Sequence, residues 1–169
     1  MKTAGVILAM TLALALQTTL ARFVIRGTVA VDLVLVVVVY VALTSGPVTG
    51  LLSGTLAGLV QDALSSGVIG IGGLAKTIVG FLAGIIGTQF IVAQPLPRFV
   101  VFFGATVLHA LVFIGLYVLL DLRQFPSPVP AVTGQAVGNA IVGVIAFQLV
   151  ELLPGAVERR RAARSRIRR

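Results

Sequence analysis

Of the 169 residues in this chain, 58% are hydrophobic and only 11% are charged. Soluble domains carry about 25% charged residues, so this composition excludes a soluble catalytic domain and indicates a membrane protein. The chain has no cysteine, one histidine and five acidic residues. This excludes disulfides and thiolate metal sites, and it leaves little from which to build an acid–base or metal centre. The net charge of +8 is concentrated at the carboxyl terminus, where seven of the last eleven residues are arginine.

A helix that crosses a bilayer needs about 20 apolar residues. The apolar runs predict six such spans in a single bundle: Thr3–Ala21, Thr28–Thr44, Pro47–Asp62, Ala75–Ala93, Arg98–Leu120 and Ala131–Leu153. The first run resembles a signal peptide, but Gln17–Arg22 is a poor cleavage site, so we interpret it as a retained span.

The breaks between the runs contain helix-ending residues. Ser45 is a plausible N-cap for a helix that starts at Pro47, and the prolines at 95 and 97 end the fourth run. Pro154-Gly155 marks the predicted membrane exit. The sequence therefore predicts one transmembrane bundle over residues 1–154 and a basic cytoplasmic tail over residues 155–169.

The segment Thr28–Asp62 leaves a five-span alternative open, because it is long for one helix and short for two. With six spans, nine basic residues share a side with the tail and four lie opposite, which satisfies the positive-inside rule. The nine are Lys2, Arg98 and the tail arginines, and the four are Arg22, Arg26, Lys76 and Arg123. We favour six spans with both termini in the cytoplasm.

A stripe of glycines runs through the third span at every fourth position, and pairs recur in the fourth span and, as Gly134 and Gly138, in the sixth. Small residues at this spacing let helix backbones approach closely. Internal packing of the bundle and docking of a partner helix both fit the pattern. The candidate residues for partner-helix packing are Gly46, Gly50, Gly54, Gly58, Gly80 and Gly84.

Few polar residues interrupt the spans. Asp62 closes the third span and Lys76 opens the fourth, so a hairpin between them predicts an intramembrane Asp62–Lys76 ion pair; the alternative is that both lie at the interface. Gln135 and Asn139 lie one turn apart on the sixth span. His109, with Thr106 one turn earlier, fits hydrogen-bonded packing better than a ligand or proton relay.

The terminal arginines are predicted to anchor the topology, or to contact anionic lipid or a cytoplasmic partner. They are Arg159, Arg160, Arg161, Arg164, Arg166, Arg168 and Arg169. Nucleic acid is not expected as a partner, since the tail has no aromatic residue for base stacking.

The central stretch resembles the rod shape-determining MreD family. The resemblance rests on Val31-Asp32-Leu33, Gly46-Pro47, the glycine stripe, Gly58–Ser65, and Leu74-Ala75-Lys76 with Gly80. The chain departs from the family pattern at Val31, where the family usually has proline.

This resemblance implies a non-enzymatic scaffold of the bacterial inner membrane that needs no cofactor. It would bind MreC and act in cell elongation with MreB, a RodA-type glycosyltransferase and a class B penicillin-binding transpeptidase. The resemblance also implies a fold similar to the substrate-binding subunits of energy-coupling-factor vitamin transporters.

The alternative function is a subunit of such a transporter, for which the Ala9/Ala13 pair would be a docking motif. A vitamin site favours aromatic stacking and converging polar groups. The chain has no tryptophan and only Tyr40 and Tyr117, which favours the scaffold.

Overall fold

The computed structural model describes residues 3–23, 31–65, 67–90, 94–122, 125 and 127–167, and describes side chains only within 4–19, 31–65, 67–90, 94–122, 125 and 127–152. These ranges form six α-helices: α1 (Thr3–Phe23), α2 (Leu33–Ser45), α3 (Pro47–Leu64), α4 (Ile71–Gln89), α5 (Pro95–Leu119) and α6 (Val129–Ile167). An all-helical architecture is therefore confirmed.

Helix α2 lies at the centre of the bundle and contacts each of the other five helices. It carries apolar side chains all round, and Val34, Val38 and Val41 are at most 1% exposed. A helix that is hydrophobic on every face must be covered by protein or lipid. Here the neighbouring helices cover it.

The long segment 28–62 divides into two helices, because the chain turns sharply at Gly46. Its φ of +89° belongs to the region that glycine adopts without strain. The N-cap position of α3 is Gly46, with Pro47 in the first turn. The sequence-based prediction of a Ser45 N-cap is wrong, because Ser45 is the last residue of α2 and its hydroxyl has no hydrogen-bond partner among the described residues.

Three helical segments are long and apolar enough to cross a membrane: Ile71–Gln89, Pro95–Leu119 and Val129–Leu152. Two shorter apolar helices, Ala4–Thr19 and Leu33–Ser45, accompany them in the described part of the chain. Length and composition thus support a helical membrane protein.

Helix α6 continues to Ile167, past the predicted membrane exit at Pro154-Gly155. Helix α4 also begins earlier than predicted, at Ile71 instead of Ala75. The reason lies in Asp62, whose carboxylate accepts hydrogen bonds from backbone amides at the start of α4.

Candidate functional site: a buried polar cluster and the cavity above it

An ion pair in which both partners are buried joins the start of α2 to the second turn of α4. Lys76 Nζ lies 2.9 Å from Asp32 Oδ2, and the two side chains are only 4% and 7% exposed. Asp32 is also the N-cap of α2, because its Oδ1 accepts from the Leu35 amide. The carboxylate therefore both starts the central helix and neutralises a buried ammonium.

Three further side chains, His109, Asn139 and Thr106, are joined to this pair by hydrogen bonds. We call the five residues Asp32, Lys76, His109, Asn139 and Thr106 the buried polar cluster. Lys76 Nζ lies 3.2 Å from His109 Nε2, and Nε2 accepts because an ammonium has only donors. The Asp32 amide donates to Asn139 Oδ1 over 2.8 Å, and Asn139 Nδ2 donates to Thr106 Oγ1 over 3.0 Å. One connected network thus joins α2, α4, α5 and α6.

The predicted Asp62–Lys76 pair does not form. Asp62 Oδ2 instead accepts from the amides of Gly70 and Gly73, at 2.9 and 3.0 Å. Amides at a helix N-terminus carry positive partial charge and favour an anion, which explains this placement. The partner of Lys76 is Asp32, at the start of α2, and not the acid of the hairpin.

The glycine stripe forms a close seam between α3 and α4. A Cβ on Gly50 would collide with the Gly80 carbonyl, one on Gly54 with the Lys76 carbonyl, and one on Gly58 with Gly73. A Cβ on Gly84 would meet the backbone at Gly46 and Pro47. Five of the six candidate glycines, all except Gly46, are therefore used for internal packing. The prediction that this face receives a partner helix is corrected accordingly.

The glycine pair predicted in the sixth span differs from this seam at Gly134. A Cβ there would meet nothing within 4 Å, so Gly134 is not in close contact with another helix. Gln135, one residue on, lines the cavity described next.

A partly open cavity of about 790 Å³ lies above the buried polar cluster. It is at the end of the bundle where α1, α3 and α5 finish and α2, α4 and α6 begin, which we call the cavity end. Asp32, Lys76 and His109 lie in its lining, and Asp62 and Gln135 also line it. Polar side chains from four helices therefore converge at this end of the bundle.

Aromatic rings form a row along one wall of this cavity. His109, Phe113 and Tyr117 follow one face of α5 at steps of four, with ring centroids 5.8 and 4.8 Å apart, and Phe125 meets Tyr117 at 5.8 Å. The spacing is visible in the sequence, because residues four apart share a helix face. The sequence-based interpretation of His109 and Thr106 does not include this row.

The opposite end of the bundle, which we call the tail end, has a second ion pair, which is not among the contacts predicted from the sequence. Arg98 makes two hydrogen bonds to Glu151, at 2.9 and 2.6 Å, and its guanidinium lies 4.1 Å above the Phe147 ring. The Arg98 side chain is 4% exposed, whereas that of Glu151 is 55% exposed. The pair fastens the start of α5 to α6 where the tail continues.

Five of the tail arginines, Arg159, Arg160, Arg161, Arg164 and Arg166, belong to the extension of α6. Other basic residues used in the charge count, Lys2, Arg26, Arg123, Arg168 and Arg169, lie outside the described residues.

Residues 1–153 match the sequence family described as rod shape-determining protein MreD. The chain belongs to the MreD family. The match includes both ion pairs, the glycine seam and the cavity, so the family assignment applies to the whole bundle. This MreD-family chain is accordingly a rod shape-determining membrane protein, of a family known for a structural role and not as an enzyme.

No curated protein and no solved structure matches the chain. The likeness to energy-coupling-factor subunits therefore stays a prediction.

Within the described residues, no group of three or more His, Cys, Asp or Glu side chains is placed to hold a metal ion. The buried polar cluster has one histidine and one carboxylate, and the carboxylate is paired with Lys76. What the arrangement does chemically is hold charges in fixed positions at the centre of the bundle.

Proposed function

We propose that this MreD-family protein is an inner-membrane scaffold of the cell-elongation machinery that binds MreC and organises lateral peptidoglycan synthesis. The observation that carries the proposal is the family match over residues 1–153. The buried polar cluster supports it, because a network through four helices gives the bundle a fixed shape against which a partner can dock. The protein would associate with MreB, the RodA-type glycosyltransferase and the class B transpeptidase within a larger complex.

In this proposal all six helices cross the membrane and both termini are cytoplasmic. The tail end then faces the cytoplasm, so that Arg98 and the terminal arginines follow the positive-inside rule and meet anionic lipid or a cytoplasmic partner. The cavity end faces the periplasm. Because the chain has no cysteine, single cysteines can report this directly. An impermeant maleimide should label Ser65→Cys and Ser127→Cys in intact cells, but not Val48→Cys or Gln94→Cys.

The glycines of α3 already pack against the backbone of α4, so MreC must bind at another face of the bundle. The groove between α4 and α5 is almost entirely apolar, has a volume of about 430 Å³, and is lined by Val79, Val100 and Gly104 among others. A Cβ on Gly104 would meet nothing within 4 Å, so a neighbouring helix can approach closely there. We place the MreC transmembrane helix in this groove.

Affinity purification of the tagged chain from its native membranes, with mass spectrometry, tests the proposal. We expect recovery of MreC and cell-wall synthases. Recovery of an ATPase pair with a coupling membrane subunit would instead support the transporter alternative.

Three glycine variants separate docking from folding in that experiment. Gly104→Leu should accumulate normally but recover less MreC, because it fills the groove. Gly134→Leu is the matched control, on an open face of α6, and should recover MreC normally. Gly54→Leu should remove the protein altogether, since its side chain collides with the α4 backbone. Normal MreC recovery by Gly104→Leu would exclude the groove.

A further inference from the structure

The cavity above the buried polar cluster has two unlike walls. On α5 and the loop after it stands the aromatic row of His109, Phe113, Tyr117 and Phe125. Gln61 and Asp62, at the end of α3, also line the cavity and supply hydrogen-bond acceptors.

The acceptors at the end of α3 are not fully used by the protein. Gln61 Oε1 is buried and accepts no hydrogen bond within the described part of the chain. Asp62 receives both of its described hydrogen bonds at Oδ2, from Gly70 and Gly73. Buried acceptors in proteins nearly always have a donor. Gln61 is only partly buried, so its side chain can turn toward the cavity and accept a hydrogen bond from a ligand there.

The charge of the lining favours a positive ligand. Among the described lining residues, Asp32 and Lys76 neutralise each other, which leaves the carboxylate of Asp62 as the remaining full charge. Phe113 and Tyr117 present aromatic rings along the cavity wall, against which the apolar part of such a ligand can pack.

The size of the cavity is that of a small-molecule site. Its volume of about 790 Å³ lies within the range of roughly 300–1,000 Å³ that is usual for ligand pockets. Such pockets combine apolar walls with a few polar groups that fix orientation. Here the apolar wall includes Ile114, Ala131 and Val132.

We propose that this cavity binds a small organic cation, a primary ammonium group carried on an apolar or aromatic body. The ammonium donates to Gln61 Oε1 and Asp62, and the body packs against Phe113 and Tyr117. This site goes beyond the scaffold function, since it gives the bundle a soluble ligand at the end that faces the periplasm in the proposed topology. Binding to the purified chain is measured without MreC, so its failure is distinguishable from failure of the scaffold proposal.

The test uses phenethylammonium and its neutral analogue 2-phenylethanol with the full chain purified in detergent. Ligand-observed NMR titration measures each affinity. We expect phenethylammonium to bind roughly tenfold more tightly than the alcohol, because the ammonium adds charge attraction to Asp62 and donates more than one hydrogen bond, whereas the hydroxyl donates one. Gln61→Leu and Asp62→Asn should each weaken binding of the amine by about tenfold and binding of the alcohol by a smaller factor.

Two further variants complete the test. Phe113→Leu should weaken both probes, whereas the control Gln148→Leu, on an exposed face near the tail end, should weaken neither. If Asp62→Asn does not fold, Gln61→Leu and Phe113→Leu decide. Equal affinity of wild type for amine and alcohol, unchanged affinity in Gln61→Leu, or no binding of the amine at millimolar concentration would overturn the proposal.

Discussion

The two ends of the bundle each hold an ion pair, but they bury it differently. At the cavity end, Asp32 and Lys76 are both withdrawn from solvent, with side chains 7% and 4% exposed. At the tail end, Arg98 is equally buried but Glu151 is 55% exposed. Removing one partner of a fully buried pair leaves an uncompensated charge, whereas an exposed partner is rehydrated. The comparison indicates that the cavity end determines whether the bundle forms, and that the tail end adjusts how firmly α6 is held.

The largest effect should come from Lys76→Met, which keeps the length of the side chain and removes its charge. Asp32 then loses its ammonium partner, and we expect a loss of about 3–5 kcal/mol of stability. The measurement is thermal unfolding of the purified chain, together with its accumulation in membranes. A melting temperature equal to that of wild type would contradict the central role of this pair.

Asn139→Leu should have an intermediate effect. The substitution leaves the buried Asp32 amide without its acceptor and Thr106 Oγ1 without the Asn139 donor. Leaving such groups unsatisfied costs about 1–3 kcal/mol. Gln135→Leu, on the same helix and in the cavity lining, is the matched control and should unfold within a few degrees of wild type. If the two variants unfold alike, Asn139 has no special part in the network.

At the tail end, Glu151→Gln should destabilise the chain more than Arg98→Met. Glu151→Gln takes the Glu151 carboxylate away from the buried Arg98 guanidinium, whose charge stays inside the protein. Arg98→Met leaves the charge of Glu151, which is 55% exposed and is rehydrated, so we expect the smallest shift in melting temperature among Lys76→Met, Asn139→Leu, Glu151→Gln and Arg98→Met. A larger shift for Glu151→Gln than for Lys76→Met would reverse the comparison between the two ends.

The helices and the glycine seam could be predicted from the sequence, because both depend on local patterns. Apolar runs and prolines place the six helices within five residues of their observed bounds, except that α6 ends 14 residues later than predicted. A glycine at every fourth position of α3 indicates close approach whichever neighbour fills the stripe. The neighbour itself is α4, which the short hairpin connection makes the simplest partner.

The ion pairs could not be predicted in the same way, because each depends on which helices meet in space. Lys76 is close to Asp62 along the chain, but the Asp62 carboxylate accepts hydrogen bonds from the backbone amides at the start of α4. Asp32 is 44 residues away from Lys76 and becomes its partner because α2 lies at the centre. An acid directly before a long apolar run is a signal for an N-cap, and this signal could have drawn attention to Asp32.

The departure at Val31 from the usual family pattern does not disturb this residue. Asp32 keeps its N-cap hydrogen bond to Leu35, and Gln17 of α1 accepts from the Leu33 amide and donates to the Val31 carbonyl. These bonds fix the start of α2 without a proline.

The most direct test of the account is a pair of double-mutant cycles on Lys76, read by thermal unfolding in detergent. One cycle combines Lys76→Met with Asp32→Asn, and the other combines it with Asp62→Asn. We expect Asp32→Asn to restore much of the stability lost in Lys76→Met, so that the first cycle shows a coupling of several kcal/mol, about the size expected for a buried pair. We expect additive losses of stability in the second cycle. Coupling to Asp62 with none to Asp32 would contradict the account.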